Sequence, residues 1–179
     1  MAIDPYDHEH SGVMELTWAE LESIVRGLMG RIGQDWRPDV VVGIAKGGVI
    51  PGVMISSAFR VDFVPIKLSS RRNETIVSKK PAWHVYPPAS GVTGKKILLV
   101  DDICVAGRTF SMATEELGRM GAAEVRTASA IIHEGSVRPD YVGLVSDAYV
   151  IWPWERDVLA ADGRWIINPD YKDELKESE

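Results

Sequence analysis

The chain has 179 residues, 45% of them hydrophobic and 26% charged, which fits one globular domain with a sizeable core. Its net charge of -6 excludes a nucleic-acid carrier held by bulk electrostatics, because phosphate backbones select a basic face. The single cysteine, Cys104, excludes an intrachain disulfide, and no apolar run approaches the roughly 20 residues that span a bilayer.

Residues 1–15 read as a loose leader. Its first ten positions are polar and carry Asp4, Asp7 and Glu9, so they lack the apolar stretch of a secretion signal, and a cytoplasmic location is expected. A helix is predicted from Thr17, where Thr17 and Glu20 have capping-box spacing and Leu16 and Leu21 have staple spacing. Trp18, Leu21, Val25 and Leu28 recur at helical period, and Gly30 and Gly33 are read as its stop. Residues 40–45 form a continuous apolar run, the pattern of a strand buried on both faces. Gly47 and Gly48 turn the chain into a helix over 49–59, and a second strand follows over 61–68. Residues 69–95 contain Pro81, Pro87, Pro88, Gly91 and Gly94 and read as one long loop, of the length that functional lids have. A third strand is predicted over 97–100 and a helix over 109–120, with Phe110, Ala113, Leu117 and Met120 on one face. Strands over 124–132 and 141–145, an aromatic segment over 149–154 and a charged tail from Asp170 complete the chain. Strands alternating with helices predict a parallel sheet with helices on both faces, whose ligands sit at the carboxyl ends of the strands.

The strongest chemical signal is residues 97–109, Ile-Leu-Leu-Val-Asp-Asp-Ile-Cys-Val-Ala-Gly-Arg-Thr. A buried strand delivers two adjacent carboxylates, Asp101 and Asp102, to its end. A turn with Gly107 then opens a helix at Thr109, whose free N–H groups and positive dipole end suit a phosphate. The carboxylates suit a sugar diol or Mg²⁺, and adjacent strand positions give them different directions. A second turn, Lys46-Gly47-Gly48, lets backbone N–H groups approach an anion, with Lys46 as a point charge. In the segment from Lys67 to Lys80, five basic residues (Lys67, Arg71, Arg72, Lys79, Lys80) stand against Glu74 alone. That local reversal in an acidic chain suits a flap closing over a diphosphate. Tyr149, Trp152 and Trp154 are either core or a stacking surface for a planar base.

At these residues the chain resembles the type I phosphoribosyltransferases over about residues 39–155, and in particular the xanthine-guanine and hypoxanthine-guanine enzymes. The resemblance implies a single-domain α/β fold over residues 1–179, with residues 69–95 as a flexible lid and a small hood built from the chain ends, residues 146–179 included. It implies transfer of a phosphoribosyl group from 5-phosphoribosyl 1-diphosphate to a nucleobase, a 6-oxopurine first, in purine salvage. Asp101 and Asp102 are implied to take the ribose hydroxyls, and Ala106, Gly107, Arg108 and Thr109 the 5′-phosphate. Lys46, Gly47 and Gly48 are implied to hold the diphosphate, with the peptide after Lys46 able to be cis, and Arg71 and Arg72 belong to the lid. Asp101, Asp102 and Lys46 are the expected catalytic residues. Tyr149 is implied to stack on the base, the Val150 backbone to read its edge, and Glu155 to join Asp101 and Asp102 in holding Mg²⁺. A homo-oligomer is expected, with neither nucleic acid nor membrane as partner.

Three positions depart from that pattern. Ala106 stands where many members have a hydroxyl residue. His133 stands where the purine enzymes have a Lys that contacts the 6-oxo group. Val105 stands where they usually have an Asp near N7. Val105 and Ala106 keep a second reading open, a non-catalytic regulator of the same fold that binds a nucleotide or 5-phosphoribosyl 1-diphosphate. A receiver-like phosphoacceptor domain ranks below both, since it has no use for Lys46-Gly47-Gly48.

Overall fold

The computed structural model describes residues 10–69, 71–72, 75–76 and 81–171. In chain order the elements are β1 (Val13–Glu15), α1 (Trp18–Asp35), β2 (Val40–Ile44), α2 (Val49–Phe59), β3 (Asp62–Ser69), β4 (Arg71–Arg72), β5 (Thr75–Ile76), β6 (Ala82–Val85), β7 (Lys96–Cys104), α3 (Arg108–Arg119), β8 (Glu124–Ile132), β9 (Tyr141–Val145), β10 (Tyr149–Ile151), β11 (Asp157–Leu159) and β12 (Trp165–Ile167). Short 3-10 turns occupy Ala89–Gly91 and Pro169–Tyr171. The chain divides into two compact units, Ile24–Val145 and the chain ends Met1–Ser23 with Ser146–Glu179. Among the described residues no helix is long and apolar enough to cross a membrane.

In the larger unit six strands form one sheet in the order β6-β3-β2-β7-β8-β9. All neighbours are parallel except β6, which runs antiparallel to β3. The sixth strand comes from the stretch read as a loop; β4 and β5 there also pair with each other. Residues 70, 73–74 and 77–80 of the expected lid, with Glu74, Lys79 and Lys80, lie outside the described residues.

β2 is buried along its whole length because both faces of the sheet are covered. Val40, Val42 and Ile44, with Ile66, Leu68, Ile97 and Leu99 of the adjacent strands, pack with Phe110, Ala113 and Leu117 of α3. The alternate residues Val41, Leu98 and Val100 are buried on the opposite face, as a period of two requires. α2 lies on that second face, where Gly52 and Gly43 leave room for the Phe63 ring; a Cβ on either would stand 2.7 Å from it.

The predicted capping box of α1 is formed: Thr17 N–H donates to Glu20 Oε2 at 2.8 Å, and Glu20 N–H to Thr17 Oγ1 at 3.2 Å. The buried stripe is Leu21, Val25, Leu28 and Ile32. Trp18 is outside it, 57% exposed, and the helix runs through Gly30 and Gly33 to Asp35. Gly33 faces the Phe59 ring, which a Cβ would meet at an ordinary contact distance of 3.6 Å. Helix propagation costs about 1 kcal/mol at a glycine, which tertiary contact outweighs here.

In the smaller unit β1 pairs in parallel with β10, and β11 and β12 form an antiparallel hairpin. Trp152 is buried and stacks on Trp154, their rings 4.7 Å apart. Arg156 pairs with Glu15 and Asp157.

The strand order has one consequence for ligand binding. From β2 the chain builds outward to β3, then returns to β7 and builds the other way to β8 and β9. The reversal therefore lies between β2 and β7, and a crevice at the carboxyl ends of those two strands is where ligands of such sheets bind. The turn after β2 is pressed against β7 there: a Cβ on Gly48 would stand 2.5 Å from Val100 O and 2.8 Å from Asp101 Cα. Both are backbone atoms, so no side-chain rotation relieves the clash. Gly48→Ala is expected to destabilise the fold by about 1–3 kcal/mol, read as a lower midpoint in urea unfolding.

Candidate active site

β7 runs on to Cys104, four residues past the predicted end, so Asp101 and Asp102 sit inside the strand. Its pairing with β8 extends as far, through Cys104 opposite Ile132. The pleat gives the two side chains different directions from the strand, and their carboxyl groups still bond each other. Asp102 reaches the turn after β2, where a Cβ on Gly47 would land on its carboxylate. Each carboxylate also accepts the next backbone N–H: Asp102 N–H donates to Asp101 Oδ1 at 3.1 Å and Ile103 N–H to Asp102 Oδ1 at 2.8 Å. Ser129, fully buried on β8, donates its hydroxyl to Ile131 O at 2.6 Å and lies 3.3 Å from Asp102 O.

Burial and then the neighbouring Asp102 charge push the Asp101 carboxyl well above the ordinary carboxylate range. Burial also raises Asp102, but its bonds from Asp101 and the Ile103 N–H work in the opposite direction. Two carboxylates this close resist being ionised together, and the upward push is the stronger at Asp101.

The turn after β7 is made by Val105, Ala106 and Gly107. Gly107 caps α3 with φ 67° and ψ 0°, the left-handed region that a side chain disfavours. It also has no room for one, since a Cβ would lie 2.7 Å from Val137 Cβ. The first helical bond runs from Ser111 N–H to Gly107 O at 2.9 Å, so the N–H groups of Arg108, Thr109 and Phe110 precede the helical ladder. No side chain caps this end, and the first turn contains no acidic residue. The helix begins one residue before Thr109, with Thr109 half-buried and Arg108 exposed.

Lys46 is exposed on the other wall, followed by Gly47 and buried Gly48. The cis peptide is Ala45–Lys46, one bond earlier than the resemblance implied. Val49 N–H donates to Lys46 O at 3.1 Å and Ile50 N–H to Gly47 O at 3.2 Å, closing the turn into α2. His133 is buried at the end of β8, its N–H donating to Cys104 O at 3.3 Å. Cys104 is packed away; burial pushes its thiol up to about 11. The backbone of Arg71 and Arg72 lies in β4.

The base-side candidates belong to the smaller unit. Tyr149 is half-buried between His10 and Tyr171, with ring centroids 5.2 Å and 6.0 Å away, both edge-on. Val150 is buried in β10. Glu155 accepts a 2.6 Å bond from the Tyr171 hydroxyl, and burial with the Glu155 carboxylate pushes the Tyr171 phenol up. Among the described residues no three His, Cys, Asp or Glu side chains gather as metal donors. Val137, Tyr171 and Ser129 were not singled out by the sequence. The first two have no local signal, and Ser129 is a lone hydroxyl in an apolar run.

A helix start without a side-chain cap, a glycine turn and an acidic strand end meet at the reversal point of the sheet of an α/β domain. Residues 16–157 match the phosphoribosyl transferase domain, and the chain belongs to that family. A xanthine-guanine phosphoribosyltransferase of Cereibacter sphaeroides is 27% identical over 165 residues, 82% of this chain and 89% of that protein. The transcriptional regulator GfcR 1 of Methanosarcina barkeri is 30% identical over 98 residues, 55% of this chain and 47% of the regulator. Among solved structures, the purine phosphoribosyltransferase of Pyrococcus horikoshii superposes with a TM-score of 0.69 at 26% identity, over 79% of this chain and 92% of that one. The chain spans about half the length of several of the curated relatives that it matches.

The raised Asp101 carboxyl carries a stability prediction. A carboxyl whose folded value is raised contributes stability below the ordinary range near about 4 and loses it as pH rises through the folded value. Asp101→Asn removes that loss. Without ligand, the variant is expected to melt above wild type, with the gap opening as pH rises from the ordinary range and reaching about 2–4 °C per kcal/mol relieved. Thermal melts at several pH values check it; a gap that closes as pH rises contradicts it.

Proposed function

We propose that this protein transfers a phosphoribosyl group from 5-phosphoribosyl 1-diphosphate to a nucleobase, with a 6-oxopurine (guanine, hypoxanthine or xanthine) as first candidate. The observation that carries it is the meeting of the Asp102 carboxylate with Gly47 across the β2–β7 crevice, beside the uncapped start of α3. A sugar diol, a 5′-phosphate and a leaving diphosphate are three different groups, and the crevice offers each a suitable counterpart. Asp101 and Asp102 accept hydrogen bonds from ribose hydroxyls. The N–H groups of Arg108, Thr109 and Phe110 take the phosphate at a positive helix end. Lys46 and the turn after it take the diphosphate.

In the reaction a ring nitrogen of the base bonds to C1 of the ribose as the C1–oxygen bond to diphosphate breaks, and the base gives up a ring N–H proton to water or buffer. Positive charge develops on the ribose and negative charge on the leaving group. The carboxylates stabilise the first, and Lys46 with the turn N–H groups stabilises the second. Mg²⁺ fits the donor set as an ion shared with substrate: two carboxylates are too few for a closed cage, and Mg²⁺ characteristically takes one or two carboxylates plus substrate phosphates and water. Asp101 and Asp102 would hold it, where it supplies charge neutralisation to the diphosphate. Tyr149 and the Val150 backbone are assigned to the base, His133 to its 6-oxo group, and Arg71 and Arg72 to the closing flap.

Asp102→Asn tests the ribose assignment, because a charged acceptor bonds hydroxyls more strongly than an amide does. About 1.5–3 kcal/mol per charged hydrogen bond corresponds to roughly 10- to 100-fold weaker binding of 5-phosphoribosyl 1-diphosphate by calorimetry, with folding retained. Wild-type affinity in the variant would remove Asp102 from the site.

Val105, half-buried in the turn, cannot accept a proton. If the base is a 6-oxopurine, Val105→Asp supplies the missing acceptor near N7, and kcat/KM for guanine or hypoxanthine is expected to rise, at most by the about 10²- to 10⁴-fold typical of general-base catalysis. Wild-type activity should increase with pH until the free base ionises. A fall with every base in a panel of guanine, hypoxanthine, xanthine, adenine, uracil and orotate rejects the 6-oxopurine assignment.

The second reading, a regulator that binds 5-phosphoribosyl 1-diphosphate or a nucleotide without turnover, is favoured by Val105, by Ala106 and by the similarity to a transcriptional regulator. Tight ligand binding with no diphosphate released from any base in the panel would select it.

A further inference from the structure

After β10 (Tyr149–Ile151) the chain turns sharply: the N–H groups of Glu155 and Arg156 donate to Trp152 O at 3.2 Å and 3.1 Å. It then makes the β11–β12 hairpin and returns to the same turn. Asn168 N–H donates to Arg156 O at 2.8 Å, and the Asn168 side-chain amide donates to Glu155 O at 3.0 Å. Tyr171 N–H donates to Asn168 O at 3.0 Å, which seats the buried Tyr171 beside Glu155. Its hydroxyl donates to Glu155 Oε1 at 2.6 Å. Its ring lies 6.0 Å from the Tyr149 ring, at 70° to it.

Each contact has a physical consequence. A buried phenol requires a hydrogen-bond partner, and a carboxylate makes the short, strong kind of bond seen here. The bond to Glu155 therefore fixes where the Tyr171 ring stands. The last side-chain torsion of a tyrosine is broad, so the plane of the Tyr149 ring is set by the rings that border it: Tyr171, and His10 at 5.2 Å and 75°. A ring that must stack on a planar base binds it more tightly when its orientation is set beforehand, because ordering a side chain on binding costs affinity. Packing alone would be served by a phenylalanine at position 171. The bond from its hydroxyl to a carboxylate whose own backbone is held by Asn168 is more than packing uses.

We propose that Glu155 and Tyr171 are positioning residues for the base: Glu155 anchors the Tyr171 hydroxyl, and the Tyr171 ring holds Tyr149 in its stacking orientation. The proposal rests on the reading of Tyr149 as the base-stacking residue and deepens it. It gives Glu155 a role that needs no metal, in place of the Mg²⁺ role that the resemblance implied.

The test is calorimetric binding to the full chain in EDTA, so that no metal takes part. The probes are ribose 5-phosphate, which lacks a base, and the tighter-bound of guanosine and adenosine 5′-monophosphate. Tyr171→Phe and Glu155→Gln are each expected to weaken the nucleotide by about 2- to 10-fold, the scale of ordering one side chain on binding, and to leave ribose 5-phosphate unchanged. The double variant is expected to be no weaker than the weaker single one, because both changes break one contact. Should Glu155→Gln fail to fold, Tyr171→Phe, which keeps the ring, still reads the contact. Nucleotide affinity at wild-type level in a folded Tyr171→Phe variant overturns the proposal. So do additive losses in the double variant, or a loss in Glu155→Gln that is seen only when Mg²⁺ is supplied. A wild-type chain that binds neither nucleotide more tightly than ribose 5-phosphate removes Tyr149 from the base, and the proposal falls with that reading rather than by itself.

Discussion

The architecture of the larger unit depends on one close approach. The turn after β2 is pressed against β7 so tightly that Gly48 has backbone where a Cβ would go, and Gly47 has the Asp102 carboxylate. Two chain segments more than fifty residues apart are thereby brought to one crevice. The approach is possible only because the sheet reverses its direction of growth between these strands, so that no connecting helix fills the gap above them. The residues proposed for the ligand in this unit line that crevice: Lys46 on one wall, Asp101 and Asp102 on the floor, and the start of α3 on the other wall.

The acidic pair is held where it is electrostatically unfavourable. The β7–β8 pairing runs past the carboxylates to Cys104, so both are carried by paired strand. Burial raises both, Asp101 the more. A cation or hydroxyl donors beside such a pair favour its charged form. The start of α3, which no side chain caps, follows the pair across the Gly107 turn, where Val137 and the positive φ both exclude a side chain.

Family membership and the crevice both support the proposed phosphoribosyl ligand, and the residues proposed for its acceptor are fewer. Those residues divide between the two units: His133 and Val105 belong to the larger, Tyr149, Val150 and Glu155 to the smaller. In the smaller unit Tyr149 is held edge-on by two rings and Glu155 is bonded by Tyr171. These contacts give each side chain a fixed environment.

Much of the architecture was legible from local pattern. The run at residues 40–45 marked a strand buried on both faces, Thr17 and Glu20 marked the start of α1, the bounds of α2 were read without error, and the string from Ile97 to Thr109 marked the ligand strand and its turn. These features are decided between residues near in sequence, through backbone capping, side-chain period and conformational freedom, and so composition and spacing carry them. Tertiary structure alone decided the rest. α1 continues through Gly30 and Gly33 because its stripe of Leu21, Val25, Leu28 and Ile32 is buried along the helix, β7 continues through two carboxylates because β8 offers a ladder to Cys104, and part of the predicted loop becomes β6 because β3 presents a free edge. In each case a partner distant in sequence supplies hydrogen bonds or packing that outweigh local preference, and such partners exist only once the chain has folded.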